Sequence, residues 1–66
     1  MWTVYDKEIN CRGSDNLTDA ELVNFVKYVA ENEIGRASFY EFENGNGEKL
    51  NCWDVCRRFA LKIEVF

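Results

Sequence analysis

The chain contains no histidine, and that absence removes more chemistry than any other feature of the sequence. Histidine is the commonest general base, the commonest metal ligand and the usual activator of a nucleophilic serine or cysteine. Only two serines are present, Ser14 and Ser38, and neither sits in a G-x-S-x-G turn. Paired carboxylates could do acid–base work, but a chain of 66 residues has little room to enclose a substrate cleft. The expectation is a protein that is not an enzyme and uses no cofactor.

Proline is also missing, so no rigid linker or proline-kinked segment divides the chain. Cysteine is sparse and odd in number: Cys11, Cys52 and Cys56 do not make a self-contained disulfide framework, and no Cys-x-x-Cys pair occurs. No apolar run approaches the ~20 residues of a membrane span. The N-terminus lacks the pattern of a signal peptide. A reduced, cytoplasmic protein with free thiols is the simplest reading, with no membrane partner. The chain begins with Met and carries no tag or linker, which reads as a complete small gene product.

What is present is apolar enough to fold. The hydrophobic fraction is 47% and the aromatic fraction 15%, both sufficient for a core, so disorder is not expected. A domain this size buries only about 60% of its unfolded surface, and its marginal stability leaves room for a homodimer. The formal net charge of -4 argues against neutralising nucleic-acid phosphates.

The stretch Thr18–Gly35, TDAELVNFVKYVAENEIG, organises the rest. Thr18 and Glu21 have the spacing of a capping box. Leu22, Phe25, Val26, Val29 and Ala30 then line one helical face, and Gly35 is placed to close the helix in a left-handed conformation. Before it, Trp2–Ile9 reads as a strand that ends or bulges at Asp6-Lys7, with Trp2 and Val4 on one face and Thr3 and Tyr5 on the other. Asn10–Asn16 reads as a turn-rich loop.

After the helix, Arg36–Glu43 alternates as a strand, although the pattern does not say whether Phe39 or Tyr40 and Phe42 face the core. Asn44-Gly45-Asn46-Gly47 predicts a hairpin turn, because Asn and Gly accept positive φ at little cost. The return strand begins near Glu48. Asn51 and Asp54 suit a helix start, so a short helix is expected over about 52–60. The alternation of Leu61, Ile63 and Val65 predicts a terminal strand. The result is one α+β domain, a three- to four-stranded, mainly antiparallel sheet packed against a main helix (about 18–34) and a short second helix (about 52–60).

Three surface readings follow. The first is a small acidic protein-binding module that docks a partner with a basic surface through Glu31, Glu33, Tyr40, Glu41, Glu43, Glu48 and Trp53. Of Trp2 and Trp53, one is expected to be substantially buried and the other partly exposed. Small acidic domains of this kind are often encoded by phages or mobile elements, where they inhibit or modulate a host protein; this is an analogy of class. The second is single-stranded nucleic-acid binding by Arg57, Arg58 and Lys62 beside Phe59; three charges are few, and nearby Glu41, Glu43 and Glu48 could neutralise them. The third is a zinc domain on Cys11, Cys52 and Cys56, with Asp54 or another carboxylate as a fourth ligand. Structural zinc uses closer pairs and four Cys or His ligands, and one helical turn places Cys52 and Cys56 toward the core as small hydrophobes, so no metal site is assigned.

Overall fold

The computed structural model describes residues 1–66. Its order is β1 (Trp2–Asp6), β2 (Cys11–Arg12), α1 (Asp19–Asn32), a 3₁₀-helix (Ile34–Phe39), β3 (Tyr40–Asn44), β4 (Lys49–Leu50) and α2 (Cys52–Arg58). The four strands form one antiparallel sheet in the order β2-β1-β3-β4. No helix is long and apolar enough to cross a membrane.

Both helices start where local hydrogen bonding dictates. Thr18 accepts from the backbone N–H of Glu21, and the Glu21 carboxylate accepts from Thr18 N–H at 2.9 Å. Asn51 and Asp54 repeat this reciprocal cap for α2, at 2.8 and 3.1 Å. Leu22, Val26 and Val29 bring the buried stripe of α1 onto Trp2, Val4, Tyr40 and Phe42 of the sheet, with Leu50, Cys52 and Val55 completing the core. Phe25 packs edge-on against Tyr40 and Phe42, with centroids 5.1 and 5.7 Å apart. Full burial of a ring such as Phe42 stabilises the fold by about 1.5–3 kcal/mol.

The Asn44–Gly47 turn is a type I turn followed by a left-handed glycine: Gly47 N–H bonds Asn44 O, and Gly47 has φ 80°. The Asn44 carboxamide oxygen accepts from the backbone N–H groups of Asn46 and Glu48, which locks the tip.

Four sequence expectations are corrected. Helix α1 ends at Asn32 with Glu33 as its cap, and Gly35 enters the 3₁₀-helix without a positive φ. Residues 36–39 are not strand. Strand β1 ends at Asp6, so its neighbour has no ladder beyond the Asp6–Tyr40 pair; past it only Lys7 N–H reaches Phe39 O, at 2.8 Å, and the 3₁₀-helix closes on short-range bonds such as Arg36 N–H to Glu33 O. The coil also turns Ala37 into the core. The loop after β1 contains β2, and beyond it Leu17 forms a two-way backbone bridge with Trp2 at 2.8 and 2.9 Å. Residues 61–65 form no strand. Their alternation reports burial alone: Leu61 and Ile63 pack on the core while Lys62 and Glu64 are exposed.

Candidate functional site

Both helices lie on one side of the sheet, so the other side is open. Pleating sends Trp2, Val4, Tyr40, Phe42 and Leu50 toward the helices and their neighbours outward. The strand register sorts the outward side chains into two rows. Arg12, Tyr5 and Glu41 stand side by side across β2, β1 and β3, while Thr3, Glu43 and Lys49 stand side by side across β1, β3 and β4. Tyr5 is 38% exposed and is the aromatic centre of this face.

The expected docking residues are divided among several places. Glu41 and Glu43 are on the open face, but Arg12 and Lys49 share it, so the face is mixed in charge rather than acidic. Tyr40, expected as an aromatic anchor, is an inward core residue only 8% exposed. Its hydroxyl donates to Glu33 at 2.9 Å, and burial pushes its phenol pKa up, which keeps the donor proton in place. Glu33 is therefore engaged within the fold. Glu31 is exposed on α1, in the helical layer opposite the open face. Trp2 is 4% exposed, whereas Trp53 is half-buried and packs edge-on against Phe66 at 5.3 Å, as the expectation for the two tryptophans had it.

Glu48 pairs with Arg58, linking the hairpin to α2, and the Arg58 hydrogen bond holds the Glu48 carboxyl below its ordinary pKa. Arg57 pairs with Asp54. Two of the three residues of the basic cluster thus spend their charge within the molecule, leaving Lys62. The pattern is general: Arg12 pairs with Asp15, Arg36 with Asp6 and Glu8, and every arginine is in an ion pair while no lysine is. The short, rigid guanidinium forks consolidate the fold, and the lysines stay solvated.

The three thiols are free and distributed apart in environment. Cys11 is exposed, Cys56 half-buried and Cys52 buried, its S–H directed at Ala37 O at 3.5 Å. No three His, Cys, Asp or Glu side chains converge closely enough to hold a metal ion. A cleft of about 240 Å³ lies beside β1, floored by Val4, Phe25 and Tyr40 and edged by Ile9 and Cys11.

Tyr5 is the functional candidate that sequence reading passed over. Its signal was present, since strand alternation places Thr3 and Tyr5 opposite Trp2 and Val4. Whether a second layer covers that face is a tertiary fact.

The fold and this face define a small α+β domain with a one-sided sheet. Comparison with protein-family models, curated proteins and solved structures finds no match to the chain.

Proposed function

We propose that the chain is a non-catalytic protein-docking module whose contact surface is the open face of its sheet. The observation that carries this reading is the setting of Tyr5, a partly exposed aromatic flanked across the strands by Arg12 and Glu41. An aromatic anchor ringed by charged side chains is the usual composition of a protein contact with a small energetic centre. Because Glu41 and Glu43 share the face with Arg12 and Lys49, the fitting partner presents interleaved charges rather than a uniformly basic patch. Inhibition of a host protein by a phage-encoded chain is one form such docking takes, the module blocking the surface it occupies. Three free thiols fit a reducing compartment such as the cytoplasm.

The test is affinity capture from a bacterial lysate at low and moderate salt, with the wild-type chain beside a Tyr5→Ala, Glu41→Lys, Glu43→Lys variant. A protein held by the wild type and released by the variant, at an unchanged melting temperature, supports the reading. Capture that survives all three changes places the contact elsewhere.

A further inference from the structure

The row Arg12–Tyr5–Glu41 is antisymmetric in charge, positive on the β2 side of Tyr5 and negative on the β3 side. A surface with that property is complementary to itself. We infer that the partner fitted by the open face is a second copy of this chain, packed sheet to sheet about a twofold axis that runs along β1 through Tyr5. This deepens the docking reading and rests on it.

The geometry follows from the register. Rotation about an axis parallel to the strands keeps each row at its own height and exchanges its two ends. Arg12 of one copy then faces Glu41 of the other, twice, because a twofold interface repeats every heterologous pair. Tyr5 meets Tyr5 at the axis, where two rings can stack with an offset, and Thr3 meets Thr3 in the adjacent row. An axis across the strands would instead place Arg12 on Arg12 and Glu41 on Glu41, so charge selects the first orientation. Arg12 also lies 3.5 Å from Asp15, but both side chains are well exposed and such a pair contributes little.

The shape agrees. The molecule is a slab of 28 × 25 × 15 Å, as expected for one sheet under one layer of helices. Two slabs stacked on their open faces give a four-layer body with its sheets inside, relieving the unfavourable surface-to-volume ratio of so small a domain.

Sedimentation equilibrium of the purified chain, from micromolar to millimolar concentration, measures the association. The wild type forms dimers. Arg12→Glu alone, or Glu41→Arg alone, opposes like charges in both pairs and weakens the dimer about tenfold or more. The decisive sample is an equimolar mixture of the two single variants. There the carboxylate introduced at position 12 of one chain meets the guanidinium introduced at position 41 of the other. The unaltered Glu41 and Arg12 form the second pair, so a heterodimer forms with wild-type strength. A wild type that stays monomeric to millimolar concentration, or single variants that dimerise unchanged, overturns the inference; so does a mixture that associates no better than its components. A monomer that still captures a lysate protein through Tyr5 overturns the inference and leaves the docking reading standing with a different partner. A dimer whose lysate capture ignores the Tyr5, Glu41 and Glu43 changes keeps the inference and confines the face to self-association.

Discussion

The indole of Trp2 donates from Nε1 to Oδ1 of Asp19 at 2.8 Å, tying the first strand to the first turn of α1. Asp19 also sits where the helix dipole favours a negative charge. One carboxylate thereby satisfies the only polar atom of a core side chain and helps to orient α1 on the sheet.

Removing that acceptor leaves a buried N–H without a partner. Asp19→Ala is expected to cost about 1–3 kcal/mol, read from urea unfolding followed by tryptophan fluorescence. Asp19→Asn keeps an acceptor oxygen and should recover much of the loss. If Asp19→Ala costs no more than Glu64→Ala at the exposed C-terminal tail, the bond contributes nothing measurable.

The two glycines that sequence reading treated alike are predicted to respond in opposite ways. Gly47 has φ 80°, and Gly47→Ala forces an L side chain into the left-handed region; a cost of about 1 kcal/mol is expected. Gly35 has no such φ and nothing within 4 Å of an added Cβ. Gly35→Ala is therefore neutral or stabilising by up to about 1 kcal/mol, through a less flexible unfolded chain. Thermal melts of the two variants check both signs.

Helix α2 ends in a Schellman turn with alanine at the left-handed position. Leu61 N–H reaches Cys56 O at 2.9 Å, Ala60 N–H reaches Arg57 O at 3.4 Å, and Ala60 has φ 53°. Ala60→Gly relieves the strain and should stabilise the protein by about 0.5–1 kcal/mol. At about 4–8 °C per kcal/mol for a domain of this size, the melting temperature rises by several degrees. A lower melting temperature would show that the backbone of residues 59–61 differs from that described.

Burial pushes the Cys52 thiol up to about 12, and burial also raises Cys56. A group whose folded pKa lies above its unfolded value stabilises fully below the unfolded pKa and ceases to do so as pH rises through the folded one. Stability is therefore expected to decline from about pH 9, the ordinary thiol range, toward pH 12. Thiol labelling gives a second reading at neutral pH. Cys11 reacts at once, Cys56 more slowly, and Cys52 only after denaturant is added. Rapid labelling of all three in the native protein would contradict the burial of Cys52.

Features carried by three- and four-residue spacings were legible in the chain. The Thr18–Glu21 box, the buried stripe Leu22–Val26–Val29, the Asn44–Gly47 turn and the start of α2 all depend on hydrogen bonds or faces defined within a single turn. The errors lay where a local pattern admits two environments. Arg36–Phe39 alternates like a strand, yet the β1 ladder stops at Asp6, and beyond it only Lys7 N–H reaches Phe39 O. Leu61–Val65 alternates too, yet Leu61 and Ile63 reach the core without a ladder and Val65 is exposed.

The candidate face divides along the same line. Alternation alone placed Trp2 and Val4 opposite Thr3 and Tyr5, and placed Glu41 and Glu43 opposite Tyr40 and Phe42, because neighbouring side chains on a strand must point to opposite sides. Which of those sides would meet the helices, and which Glu would find an Arg, depended on contacts between residues far apart in the chain. The pairing of Glu48 with Arg58 and the alignment of Arg12, Tyr5 and Glu41 arise from strand order and register. Local sequence determined the elements and their two-sidedness. Only the packing of α1 and α2 on a single face of the sheet decided which side became core and which remained open to a partner.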